Sequence, residues 1–381
     1  MTILQKRLLL VAGLLAAAGL IWVPMAGSAG SAGSAIPDIS GKILTVRGPI
    51  DPGMVGPTIM HEHVLLDYRG RPKEGLTATE AAFYEEPVSL RNLSRLRSWV
   101  SPNADNLILG DVDVAIREVL EFKRWGGSGI VDCTSIGLGR DPTGLLQVSN
   151  ATGLHIVMGA GWYTHAFHPA DMGSRTVEEL TEIIIKDITV GAEGTAVRSG
   201  IIGEVGVGNE LNPNELKSTR AAARASRATG AAVSFHHAGR GEQKFTVLDM
   251  VEAEGADLNR VIIGHSNHIA TQIPYMKRLL ERGVYIQFDL MGEVIPRLGR
   301  IHDYDTVRSI VQLIRDGYAD RLLLSQDVCT KTMMKTYGGQ GFSFVMEFVL
   351  PELRRLGAPE EALHQIMVEN PRRVLTFAKP G

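Results

Sequence analysis

The stretch TIMHEHVLLDY, residues Thr58–Tyr68, sets two histidines one residue apart in an apolar run. Side chains on a β-strand alternate between faces, so His61 and His63 would point one way and Glu62 the other. Two imidazoles could then converge on one object in front of the strand. An H-x-H pair by itself also fits two ordinary histidines, so its reading depends on what the rest of the chain supplies.

Beyond this stretch, strand-like apolar runs alternate with helix-like amphipathic ones. After Thr58–His63 the strand candidates are GIVDCT (Gly129–Thr134), LHIVMGAG (Leu154–Gly161), GIIGEVG (Gly200–Gly206) and AAVSFHH (Ala231–His237). RVIIGHS (Arg260–Ser266), GVYIQFD (Gly283–Asp289) and RLLLSQD (Arg321–Asp327) complete the set. Segments such as DVAIREVLEFKRWG, TVEELTEIIIKDI and YDTVRSIVQLIRDG lie between them with helical periodicity. Eight strands alternating with helices predict a parallel sheet, and a closed (β/α)8 TIM barrel is the economical way to build it. Ahead of it, GKILTVRGPIDPGMVGP reads as a short N-terminal β-hairpin around a Pro-Gly turn. One domain is expected from about residue 40 to 381.

The chain has 381 residues and a formal net charge of −3, with 44% hydrophobic and 21% charged residues. That near-neutral balance provides no electrostatic argument for nucleic acid or an anionic membrane as partner. Cys133 and Cys329 are too few for a disulfide framework and lack metal-type spacing. Both read as structural residues. Residues 1–35 differ in character: Lys6 and Arg7 precede an uncharged run, Leu8–Ala26, followed by GSAGSAGSA. This is the pattern of a secretory signal peptide, and an uncleaved N-terminal anchor is the alternative because the run is long enough to span a bilayer. Either way a periplasmic or secreted location is expected, with membrane contact only if the segment is uncleaved.

In a (β/α)8 barrel the chemistry sits at the C-terminal ends of the strands. There the predicted strands carry His61 and His63 (first), Glu204 (fourth), His236 or His237 (fifth), His265 (sixth) and Asp327 (eighth). Four imidazoles and two carboxylates suit two divalent ions per chain, with zinc favoured by availability and ligand mix. A single strand-end His or Asp has a dull explanation as a cap; six at one end of successive strands do not. On the fifth strand, an inward His236 also turns Ser234 and Ala232 inward and leaves Val233 and Phe235 under the helices. The opposite choice crowds the lumen with bulky side chains, so His236 is the expected ligand and His237 its neighbour.

TIMHEH, GIIGEVG, SFHHAG, VIIGHS and LLLSQD fall in the order found in the phosphotriesterase family of the amidohydrolase superfamily. GWYTHAFHP, GGQGFSF and ENPRRVLTF also resemble its connecting segments. The resemblance covers nearly all of the chain after the leader. It implies a (β/α)8 barrel with two metals, His61, His63 and Asp327 holding the buried one, His236 and His265 the more exposed one, and Glu204 bridging. Two departures stand out. The best-known members bridge with a carboxylated lysine where this chain has Glu204, which is similar to the phosphotriesterase-related subgroup. The organophosphate-hydrolysing members follow the seventh strand with an Asp-His pair, where this chain reads Asp289-Leu290.

Two metals can activate a bridging water and polarise a carbonyl or phosphoryl oxygen. The expected reaction is therefore attack of a metal-bridging hydroxide on an ester, lactone, amide or phosphoester, with Asp327 as proton acceptor. Tyr163, Arg297 and Tyr337 are the substrate-contact candidates. The competing reading is a non-catalytic zinc-holding barrel acting as a periplasmic binding protein. The partner is a small molecule in either case. The sequence leaves the choice of substrate and the oligomeric state, including a homodimer, open.

Overall fold

A computed structural model describes residues 37–70, 75–98, 102–292 and 301–381. The leader and Arg297 fall outside the described residues. Eight parallel strands run in chain order around a nearly closed barrel: β1 (Thr58–Glu62), β2 (Gly129–Asp132), β3 (His155–Ala160), β4 (Ile201–Gly206), β5 (Val233–His236), β6 (Val261–Ile263), β7 (Tyr285–Phe288) and β8 (Leu322–Leu324). Each observed strand lies within its predicted segment. Helices α1 (Val112–Arg124), α2 (Pro142–Thr152), α3 (Val177–Thr189), α4 (Pro213–Thr229), α5 (Gln243–Ala253), α6 (Ile273–Leu280) and α7 (Asp303–Arg315) alternate with β2 to β8. The architecture is a (β/α)8 TIM barrel.

Local chemistry sets the helix limits. Thr176 and Glu179 form a reciprocal capping box at the start of α3. Asp141 caps α2 with Pro142 in its first turn, and Gly153 ends it at φ +74°, a conformation that suits glycine. The strands are buried on both faces, which explains their near-continuous apolar runs. Met60, Val131, Val157, Ile201, Ile262, Tyr285 and Leu323, one from each strand except β5, pack into a single cluster with Ala232, which immediately precedes β5. Their convergence makes this the lumen core. Val233 and Phe235 belong instead to the larger core shared with the helices, as the small-inside argument for the fifth strand requires.

The hairpin is present, but its turn differs from the expected one. Ile43–Thr45 pairs with Gly48–Ile50, so the reversal falls at Val46–Arg47 and Gly48, at φ +109°. Thr45 Oγ1 closes it by donating to the Gly48 carbonyl at 2.9 Å and accepting from Arg47 N at 3.2 Å. The Pro-Gly step forms a separate 3₁₀ turn, Pro52–Met54, between the hairpin and β1.

β1 and β8 lie at opposite ends of the ladder order, and side chains join them. The Glu62 carboxylate accepts hydrogen bonds from Ser325 Oγ (2.6 Å), Gln326 N (3.0 Å), Gln326 Nε2 (2.8 Å) and Val328 N (2.9 Å). His61 N donates to Ser325 Oγ at 2.9 Å, and Asp327 N to the His61 carbonyl at 3.2 Å. Glu62, expected only to face away from the histidines, fastens the barrel seam.

Candidate metal centre

The structure brings all six predicted ligands together at the C-terminal mouth, most of them on or just beyond the strand ends. His265 and Asp327 adopt left-handed backbone conformations, φ +51° and +54°. Such strain costs about 1–3 kcal/mol per residue and concentrates at functional sites. A side chain at Gly159 would overlap the Gly203 carbonyl, so β3 and β4 approach closely beneath Glu204 only because that position is glycine.

Donor atoms from His61, His63 and Asp327 lie within 4.8 Å of one another, and so do those of His61, Glu204 and His265. His63 Nε2 is 3.3 Å from Asp327 Oδ1 and 3.5 Å from Glu204 Oε1. On the other side, His236 Nδ1 lies 2.9 Å from Glu204 Oε2 and 2.8 Å from His265 Nε2. Glu204 thus turns Oε1 to His63 and Oε2 to His236, and His61, whose Nε2 lies 3.4 Å from Oε2, stands between the two donor groups. His236 faces this cluster; His237, at φ +63°, stacks its ring edge-on against His236 with centroids 4.4 Å apart.

Two atoms test whether a metal pair fits. His61 Nε2 and Asp327 Oδ1 are buried and make no hydrogen bond. Leaving such groups unmet costs about 1–3 kcal/mol each, and a cation between them would satisfy both. The residues present fit two divalent ions.

Electrostatics agree. Burial pushes His63 down, but Asp327 and Glu204 overcome it and hold the imidazole up at about 10. Burial likewise opposes protonation of His265, and Asp289 and Glu204 raise it to about 9. Burial would raise Glu204, yet His236 and His61 pull it well below the usual carboxylate range. The cluster packs carboxylates against imidazoles so closely that protons occupy places two dications would take.

The outer partners were largely missed from sequence. Asp289 Oδ1 lies 2.9 Å from His265 Nδ1, and its Oδ2 lies 3.2 Å from His61 Nδ1. One carboxylate therefore backs imidazoles on both sides of the cluster, an arrangement that orients metal-binding histidines. Thr134 Oγ1 lies 2.9 Å from His63 Nδ1. Asp289 could have been flagged as a strand-end carboxylate like Asp327; Thr134 gives no such signal. Of the substrate-contact candidates, Tyr163 sets its hydroxyl 3.1 Å from His236 Nε2 and 3.4 Å from Tyr68 Oη. Tyr337 lines a separate cavity with Val64, Lys331 and Met334, none of the six ligands among its walls. Cys133 is buried under the cluster and Cys329 is half-buried.

Metal-ligand side chains gathered at the C-terminal mouth of a (β/α)8 barrel define a metal-dependent hydrolase. Residues 41–375 match the phosphotriesterase family model, and the chain belongs to that family, one of binuclear metal enzymes. An N-acetyltaurine hydrolase from Dictyostelium discoideum is 33% identical over 365 residues, covering 89% of this chain and 99% of that protein. A phosphotriesterase-related protein from Nematostella vectensis is 32% identical over 349 residues, with the same coverage. Among solved structures, a resiniferatoxin-binding protein from Rhodobacter sphaeroides superposes with TM-score 0.83 at 39% identity, over 88% of this chain and 95% of that one. A lactonase from Listeria monocytogenes superposes with TM-score 0.73 at 26% identity, over 89% and 100%.

Proposed function

We propose that the chain hydrolyses a carboxylic acyl bond, in an amide, lactone or ester, using two divalent ions held by His61, His63, Asp327, Glu204, His236 and His265. The observation that carries this reading is the shared carboxylate: Glu204 offers its two oxygens to donor groups on opposite sides, beside two buried atoms that make no hydrogen bond. Zinc suits the imidazole-rich set. Two such ions would supply an activated water and polarise the acyl oxygen.

The chain's own residues do the rest. Asp327 stands at the mouth with Oδ1 toward His63 and His61, and its other carboxylate oxygen could take the proton of the attacking water. Tyr163, at His236 Nε2, holds that ring so that Nδ1 faces Glu204. Asp289 keeps the Nδ1 side of His265 engaged, leaving Nε2 for the cluster. The residue after Asp289 is Leu290, apolar and buried, which can relay no proton. Similarity to N-acetyltaurine hydrolases and to a lactonase supports acyl rather than phosphoryl chemistry.

Likeness to a resiniferatoxin-binding protein favours a second reading, a barrel that binds a small molecule without turning it over. The complete donor set weighs for catalysis. Protein loaded with zinc should contain close to two metals per chain by elemental analysis and should turn over at least one of an N-acyl amide, a lactone or a carboxylic ester. Its kcat/KM on that substrate should exceed the value for a paraoxon-type phosphotriester. Phosphotriester hydrolysis near the diffusional ceiling of about 10⁸ M⁻¹s⁻¹ would overturn the acyl assignment. Two bound metals with no turnover on any panel would favour the binding barrel.

A further inference from the structure

Helix α5 buries Lys244, Val247, Leu248 and Val251, the spacing of one apolar stripe, so a lysine stands where an apolar residue is expected. It is 5% exposed, and no carboxylate among the described residues pairs with it. Burying a cation without a counter-ion is costly, and burial alone pushes its ammonium down to about 7. Two backbone carbonyls offset that cost: the ammonium donates to those of His237 and of Gly239, the latter at 2.9 Å. Loss of its extra proton still leaves two N–H donors, one for each carbonyl.

The two carbonyls frame the turn that follows β5. His237, Ala238 and Gly239 take positive φ values in succession, +63°, +55° and +84°. Only the last is glycine, and any other residue in that region is strained. The turn's own amides add two bonds: Ala238 N donates to the His236 carbonyl at 2.9 Å and Gly239 N to the Val207 carbonyl at 3.4 Å. Through the first of these the turn hangs directly on His236. It also decides where the His237 ring lies, edge-on to His236 with centroids 4.4 Å apart and 5.0 Å from the ring of His265. Both imidazoles of the more exposed half are braced by a ring on a strained turn, and one buried lysine pins that turn.

We propose that Lys244 is a positioning residue for the more exposed metal: by holding the His237–Gly239 turn it fixes His236 and lays His237 against both imidazoles. The proposal rests on the two-metal reading of the donor cluster. Lys244 acts only through the turn. An apolar side chain of similar length would fill the stripe without the cost of burying a charge, so packing does not account for a lysine there, and the carbonyls it holds do. The buried metal has no such dependence, because His61, His63 and Asp327 belong to β1 and the end of β8, strands that make no ladder contact with β5.

The test is zinc affinity, measured by competition with a chelator, for wild type, Lys244→Met, and Lys244→Met combined with Ala238→Gly. Wild type should bind two zinc ions. Lys244→Met should weaken one of the two by roughly tenfold, the lower end for an outer partner of a metal ligand, and leave the other unchanged. Glycine takes a positive φ without strain. Adding Ala238→Gly should therefore return most of the lost affinity, although it restores no contact to position 244. General damage to the fold would produce neither result. Should Lys244→Met not fold, Lys244→Gln, which keeps two amide N–H donors at shorter reach, is read by the same titration. Unchanged binding in the folded variant, an equal loss at both ions, or no recovery with Ala238→Gly overturns the proposal. A wild type that binds a single zinc overturns the two-metal reading and the proposal with it; a wild type that binds two separates that failure from the others.

Discussion

His61, His63 and Asp327 come from the two strands that meet at the barrel seam, whereas His236 and His265 come from β5 and β6, neighbours in a regular parallel ladder. On the seam side, four hydrogen bonds to the Glu62 side chain supplement a backbone bond from Asp327 N to the His61 carbonyl. On the ladder side, backbone register sets position. The support behind the imidazoles also differs. His63 leans on the neutral hydroxyl of Thr134, and His265 on the carboxylate of Asp289. The buried half is thus fastened by a clasp, with a neutral hydroxyl behind His63 and Asp289 3.2 Å from His61, while the exposed half is set by the sheet, with Asp289 hydrogen-bonded behind His265. Glu204 is the residue both halves share.

The sharpest way to break the contrast is to remove what joins the halves. Glu204→Gln keeps the shape but removes the charge that offsets repulsion between two dications. Metal content should fall clearly below two per chain, and activity should drop by more than the roughly 100-fold that loss of an outer partner costs. Recovery of stripped wild-type protein with zinc should need no bicarbonate, because Glu204 already carries its carboxylate. A Gln variant with normal metal content and rate would show that the halves do not share this residue.

A smaller pair of changes compares the two kinds of backing. Asp289→Asn should cost roughly 10- to 100-fold in metal affinity, since Asp289 contacts His265 and also stands 3.2 Å from His61. Thr134→Val removes one neutral hydrogen bond, worth about 1 kcal/mol, and should cost less than about tenfold. Zinc titration against a competing chelator would measure both. Equal losses would mean that charge behind the imidazole is irrelevant to holding metal.

The exposed half was the more legible in sequence, for the same reason. His236 could be chosen over His237 because strand alternation is local: Ala232 and Ser234 had to share its face, and Val233 and Phe235 did pack outside the lumen. The six donors were readable because each ends a strand whose pattern stands alone. The clasp was not, because Glu62 and Ser325 are 263 positions apart and no periodicity links them. Asp289 was noted only for the leucine that follows it. Its role behind two histidines depends on how β1, β6 and β7 approach one another, which only the closed barrel specifies. Tyr163, expected as a substrate contact, sets its hydroxyl 3.1 Å from His236 Nε2, a neighbour that no local pattern announces. The Pro-Gly step was read as the hairpin turn, and a glycine at φ +109° nearer the strands takes that place.

The smallest expected effect concerns protons, and it also separates the halves. In the metal-free chain, burial opposes the charge on His63 and His265. Asp327 with Glu204, and Asp289 with Glu204, overcome that and hold the two imidazoles near about 10 and about 9, above the ordinary 6.5. A group raised on folding contributes stability that is full below its unfolded value and is lost as pH climbs through its folded value. Metal-free protein should therefore lose stability as pH rises through about 9, with the exposed-half His265 giving up its proton before the buried His63. Glu204, lowered on folding, works in the opposite direction: its contribution is present above the ordinary 4.5 and is lost as pH falls. Metal needs its imidazoles neutral, and His61 too, against its burial, is raised well above the ordinary 6.5 by Glu204 and Asp289, so zinc uptake at neutral pH should expel about three protons per chain. The zinc-loaded protein, with no such protons to lose, should keep its Tm through the alkaline range in which the stripped protein falls. Calorimetric titrations of zinc in buffers of different ionisation heat would count the protons. A count of zero, with identical alkaline Tm profiles for the two forms, would mean that none of these imidazoles is charged before metal arrives.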